Sequence, residues 1–212
     1  VDRKKEYDET RGQLSQKEKD NWITWEEVQK KKEELKAEIK EFVNKKMISD
    51  KQYQKLLQFV VLSLYTDIQP RRNKDYQLCY IIKEHNDKKE KDKNYYDMTN
   101  KEFIFNDYKT AKKHGQQKIS IKDNKDLIEA LEMYFKHHPL VKKRMSKKAE
   151  VCLLVNRDGS KLSSVNAITR LLNKIFKKKI GSSMLRHIYL TSKYGDKLEE
   201  MKDDAEKMGH TT

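Results

Sequence analysis

Apolar positions in this chain fall into short periodic runs divided by long charged stretches. Residues 1–20 carry charge without period and read as an exposed arm or linker. Val28, Leu35, Ile39 and Val43 then recur at helical spacing over a charged background, predicting an amphipathic helix to about Lys45. Thr24 and Glu27 form a capping box at its start, Trp22 is placed to staple it, and Trp22 and Trp25 read as packing anchors. A second helix, capped by Asp50, gathers Leu56, Leu57, Val60, Val61 and Leu64 on one broad face and should be buried, with Pro70 ending the loop that follows.

The middle of the chain changes period. Leu78 to Ile82 is β-prone, residues 84–101 read as a long polar loop, and 102–110 and 116–121 read as paired strands joined through His114-Gly115. Asp126 to His137 is helical, with Leu127, Leu131, Met133, Tyr134 and Phe135 on its apolar side; Val141 to Lys148 is a basic loop; Val151 to Val155 is a short buried strand; Arg157-Asp158-Gly159 is a turn. A helix starting at Ser163 or Ser164 turns Val165, Ile168, Leu171, Leu172 and Ile175 inward and leaves Asn166, Arg170 and Lys174 on its other side. Ser182 or Ser183 caps the next helix, which carries Leu185, Ile188 and Tyr189 inward. Gly195-Asp196 ends it and starts another through Leu198, Met201, Ala205 and Met208, with Gly209-His210 at the C-cap. No repeat at solenoid periods is present. The expected fold is mainly α with a small three-stranded antiparallel sheet, an α+β class.

Composition narrows the function. At 212 residues the chain can bury one good core, or one domain with an arm; 35% hydrophobic and 39% charged residues make it polar, yet the periodicity argues for folding. A net charge of +14, from 48 Lys+Arg against 34 Asp+Glu, points to a polyanion, most often nucleic acid, and an AT-rich genome would enrich lysine and asparagine as well. Cys79 and Cys152 lie in apolar runs without paired spacing, which argues against a disulfide framework or zinc site and for a reducing intracellular compartment. His137-His138 ends a helix; adjacent histidines point apart and no third ligand is suitably spaced. No apolar run approaches the roughly 18 residues of a membrane span, and Val-Asp-Arg-Lys-Lys at the start has no signal h-region; starting with Val and stopping two residues after Gly-His, the chain reads as a piece of something longer.

The candidate chemistry lies in four separated segments. Arg72 follows a buried helix and a turn, with Asp75 three positions on, where a carboxylate can brace a guanidinium. Lys109-Thr110 sits on the predicted hairpin, with Lys112 and Lys113 as rivals. Ser183-Met184-Leu185-Arg186-His187 opens a helix, and Met208-Gly209-His210 follows it. Taken together and in this order, over residues 21–212, the set resembles the catalytic domain of the tyrosine recombinases and integrases.

That resemblance implies DNA strand breakage and rejoining through a 3′-phosphotyrosyl intermediate, with no metal, ATP or other cofactor. Arg72 and Arg186 would clamp the non-bridging oxygens of the scissile phosphate, His210 would donate a further hydrogen bond, and Lys109 would protonate the leaving 5′-oxygen. Asp75 and Ser183 would support the arginines, and Asn166, Arg170 and Lys174 would face DNA. The partners implied are double-stranded DNA and further copies of the protein, as a tetramer on DNA. The lysine- and asparagine-rich style suggests a virus or mobile element, acting in a host nucleus or at a cytoplasmic site of DNA replication.

Two departures qualify this expectation. The family usually has His where Ser183 stands, and serine cannot buffer a proton near neutral pH. Its nucleophilic tyrosine follows the Gly-His histidine by about nine residues, whereas Thr212 follows His210 by two. The expectation is therefore a C-terminally truncated catalytic domain that binds DNA without cleaving it, with residues 1–20 the remnant of a link to a core-binding domain. A type IB topoisomerase-like enzyme, or a non-catalytic DNA-binding relative, are the alternatives.

Overall fold

The computed structural model describes residues 14–86, 89–141 and 150–207. A short helix, α1 (Gln16–Asn21), forms inside the stretch read as a featureless arm. Ser15 and Glu18 close a capping box there, which supplies partners to backbone donors that a one-turn helix cannot satisfy internally. Helix α2 (Trp25–Lys40) opens on the expected box: the Glu27 amide donates to Thr24 Oγ1 at 3.1 Å and the Thr24 amide to Glu27 Oε2 at 2.7 Å. It ends five residues before Lys45, although Phe42 and Val43 remain buried in the turn beyond.

Helix α3 (Asp50–Thr66) is the centre of the molecule. Its cap is Ser49, whose hydroxyl accepts from the Gln52 amide, so Asp50 is the first helical residue and not the cap. Leu56, Leu57, Phe59, Val60, Val61, Leu62 and Leu64 are all buried, so this helix is covered nearly all round. It packs against α2, α6 (Lys125–His137) and α7 (Ala167–Phe176). Each such side chain contributes about 1.5–3 kcal/mol on leaving water.

The sheet differs from expectation. Among the described residues it has five strands, not three, in the order β4-β3-β2-β1-β5, and it is mixed: β1 (Cys79–Ile82) runs parallel to β2 (Asn94–Asp97), while β3 (Glu102–Phe105), β4 (Gln117–Ser120) and β5 (Val151–Cys152) pair antiparallel. Strand β2 lies inside the stretch expected to be a polar loop. All four of its residues are buried, and its two polar ones, Asn94 and Asp97, carry hydrogen bonds rather than facing water. Strand β3 stops at Phe105, because residues 106–110 turn into a one-turn helix, α5 (Ala111–His114). A short helix α4 (Asn73–Gln77) leads from α3 into the sheet.

Two boundaries near the C-terminal side also move. Helix α7 begins at Ala167, with Asn166 rather than Ser163 or Ser164 at its cap, so Val165 stays outside the helix at 84% exposure instead of turning inward. Helix α8 runs unbroken from Ser182 to Lys207, through Gly195. A glycine inside a helix costs about 1 kcal/mol relative to alanine and stops it only when it turns left-handed. The positive-φ glycines among the described residues are Gly115 and Gly159, not Gly195. The architecture is mixed α+β. Among the described residues no helix is long and apolar enough to cross a membrane, and Cys79 and Cys152 are both free thiols in the interior.

Candidate functional site

Helix α4 is too short to be stable alone, and its surroundings hold it from several sides. The Tyr65 hydroxyl of α3 donates to Asn73 Oδ1 at 2.7 Å, and Asn73 Nδ2 donates to Thr169 Oγ1 of α7 at 2.9 Å. The Gln77 side-chain amide donates to the carbonyls of Leu162 and Ser164. Arg72 stands just before the first turn of this anchored helix, with extended backbone (φ −76°, ψ 149°), and its side chain is exposed.

Asp75 is buried, as a bracing carboxylate should be, but it braces Arg71 and not Arg72. Arg71 Nε donates to Asp75 Oδ2 at 2.9 Å, four residues apart rather than three. The Arg71 guanidinium also lies 3.9 Å above the Phe105 ring and donates to Gln117 Oε1 at 2.9 Å, so its charge is absorbed by the hairpin. Burial raises the Asp75 pKa, with the Arg71 charge pulling the other way. With Arg71 so engaged, Arg72 is left without an ion-pair partner among the described residues.

Arg186 comes from the far end of the chain, on the first turns of α8, and reaches the same corner. Desolvation lowers its pKa, and the next largest cause is the positive charge of Arg72. The two positive charges are therefore close enough to repel, and the Asp75 carboxylate acts on both of them. The Nε–H of Arg186 is buried and has no hydrogen-bond partner among the described residues. A buried donor left unpaired costs about 1–3 kcal/mol, so this corner lacks an acceptor. A cleft of about 220 Å³ opens beside it, lined by Gln69, Pro70, Arg186, Tyr189, Lys193 and Tyr194 among others.

The remaining candidates are distributed around this corner. Ser183 is exposed at the start of α8. Lys109 is exposed on the turn between β3 and α5, as a hairpin lysine should be, and has no ion-pair partner among the described residues. Its rivals Lys112 and Lys113 are exposed on α5. Asn166, Arg170 and Lys174 are all exposed and, four residues apart, form one stripe along α7. The Asn73–Thr169 bond sets that helix against α4. His210 and the basic residues 142–148 lie outside the described residues.

His137 and His138 point to different carbonyls, Val43 and Cys152 respectively. Among the described residues no group of three metal-binding side chains converges. The structure thus brings Arg186 from a separate segment to the corner that holds Arg72 and Asp75, and places Lys109 on a loop tied to α4. The sequence reading missed Arg71, Asn73 and Asn94. The consecutive Arg71-Arg72 pair was the available signal for the first, and the Tyr95-Tyr96 pair inside a polar stretch was the signal for the strand that holds the last. Comparison with protein-family models, curated proteins and solved structures gave no match.

Proposed function

We propose that this chain is the catalytic domain of a tyrosine recombinase or integrase, acting on double-stranded DNA. What supports the reading most is the pair Arg72 and Arg186: two cations from opposite ends of the domain that repel each other, beside an Asp75 carboxylate already ion-paired to Arg71, and with a buried donor on Arg186 that has no acceptor among the described residues. A phosphodiester supplies what is missing, because its two non-bridging oxygens accept from two guanidinium forks and carry negative charge.

In the proposed reaction a tyrosine hydroxyl attacks the phosphorus, a 3′-phosphotyrosyl bond forms, and the 5′-oxygen leaves with a proton from Lys109. Arg72 and Arg186 stabilise the charge that builds on the non-bridging oxygens in between. His210 adds a hydrogen bond to the phosphate in this scheme. Tyr65 and Tyr76 are fully buried core residues, and Tyr189 packs edge-on to Trp25 at 5.3 Å, so none of these three is the nucleophile in this scheme. Arg170 and Lys174 track phosphates on the flanking duplex, with Asn166 beside them.

The test has two arms. Fluorescence anisotropy on a DNA duplex should show salt-sensitive binding that weakens with Arg72→Ala or Arg186→Ala. The polypeptide of the whole reading frame, incubated with nicked duplexes, should give a protein–DNA adduct that survives a denaturing gel and disappears with either arginine variant. Binding without an adduct favours a second reading, a non-catalytic DNA-binding relative, for which the exposed serine at position 183 is the supporting observation. Absence of salt-sensitive binding removes both readings.

A further inference from the structure

Asn94 is 1% exposed and opens strand β2. Its side-chain nitrogen donates to the Asp75 carbonyl at 3.1 Å and to the Asp107 carbonyl at 2.8 Å. Its side-chain oxygen accepts from the amides of Asn106 and Asp107, both at 2.8 Å. Two donors and two acceptors are the whole capacity of an asparagine side chain, and all are used. One partner lies in α4, three residues after Arg72. The others lie in the loop that leaves β3, two and three residues before Lys109.

The sheet explains why a side chain is needed here. The β2–β3 ladder runs as far as Tyr95 opposite Ile104, and beyond it β3 turns away. The backbone groups of Asn106 and Asp107 then have no strand beside them, and Asn94 serves in its place. Only an amide of this length fits. Aspartate would set a carboxylate against two carbonyls, and serine would leave two or more partners unpaired. Two further ties run the same way: Lys74 Nζ lies 3.5 Å from Asp107 Oδ2, and Arg71 spans from Asp75 to Gln117 across Phe105.

We propose that Asn94 is a positioning residue that fixes the Lys109 loop against the helix carrying Arg72, so that the leaving-group acid and the phosphate clamp hold one geometry. This rests on the reading of Lys109 and Arg72 as phosphate-site residues. Asn94 touches no substrate; it acts through Lys109.

A double-mutant cycle on duplex DNA tests it. Lys109→Ala in the native background should weaken binding about fivefold and flatten the dependence of log affinity on log salt by about 0.9. Asn94→Asp should weaken binding by a similar factor, and adding Lys109→Ala to it should change nothing further. Lys174→Ala should keep its full effect in the Asn94→Asp background, because α7 does not depend on this tie. Hydrogen–deuterium exchange should show the amides of Asn106 and Asp107 losing protection in Asn94→Asp while those of β5 keep theirs. Asn94→Ser, which removes the charge clash, repeats the cycle if Asn94→Asp does not fold. Equal effects of Lys109→Ala in both backgrounds, or unchanged exchange at Asn106 and Asp107, would overturn the role of Asn94. No effect of Lys109→Ala in the native background would instead remove Lys109 from the phosphate site, and the inference with it.

Discussion

Among the described residues the Lys32–Asp67 pair and the corner around Arg186 both take charge out of water, and the two are built oppositely. Between α2 and the end of α3, Lys32 meets Asp67: their side chains are 7% and 6% exposed, and Lys32 Nζ donates to Asp67 Oδ1 at 2.5 Å. Burial raises the Asp67 pKa and the lysine opposes it. That site is closed, since each charge has its counterpart inside the fold. At the Arg72–Arg186 corner the strongest charge acting on Arg186 is another cation, the nearby Asp75 carboxylate is ion-paired to Arg71, and a buried N–H has no acceptor among the described residues. That site is open. A closed site holds helices together; an open one leaves charge and a donor that the fold itself does not match.

The contrast makes its strongest claim about stability. Lys32→Met leaves the Asp67 carboxylate buried and alone, and should cost about 3–5 kcal/mol in urea unfolding; adding Asp67→Leu should restore much of it. Arg186→Met, at the open site, should stay within about 1 kcal/mol of the native protein, because it removes repulsion along with a charge. Loss of the fold in Arg186→Met would place Arg186 among the structural ion-pair residues and end the comparison.

A second closed site is sensitive to acid. His138 donates from Nε2 to the Cys152 carbonyl, and its Nδ1 accepts from the amides of Leu140 and Val141, so it must be neutral. Burial pushes its pKa down from 6.5 to about 4. Below pH 6.5 the unfolded chain takes up a proton that the folded protein refuses. Stability is therefore intact above about pH 6.5 and should fall by about 3 kcal/mol on acidification to about pH 4, as read from denaturation midpoints. His138→Gln should flatten that slope.

Smaller effects sharpen the open site. Arg186→Ala should lower affinity for duplex DNA by an amount corresponding to about 1.5–3 kcal/mol, the value of hydrogen bonds to a charged group. Lys174→Ala, out on the α7 stripe, should chiefly reduce the salt slope by about 0.9. Val165→Ser should leave stability within about 0.5 kcal/mol, since a side chain 84% exposed has little burial to lose.

The helical half of the fold was legible because its signals are local. Thr24 with Glu27 writes the start of α2, and the apolar face of α3 follows from spacing alone. The stripe of Asn166, Arg170 and Lys174 was legible for the same reason. Strand β2 was not, because Asn94 and Asp97 are polar residues buried for their hydrogen bonds, and pattern reading assigns such residues to water. The partner of Asp75 was taken one residue too late. Spacings of three and four are equally good on a helical turn, and only the Phe105 ring and Gln117, arriving from the hairpin, select Arg71.

The turn between α7 and α8 carries a consequence for engineering. Lys177 ends α7 in a left-handed conformation, φ 52° and ψ 31°, where glycine would be the unstrained choice. Its ammonium lies at the negative end of the helix dipole, just past the Arg170–Lys174 stripe. The position thus sets backbone ease against charge. Lys177→Gly relieves the torsional cost and gives up a cation, so on the proposed reading thermal tolerance and grip on DNA would be tuned against each other at one residue, without touching the arginines.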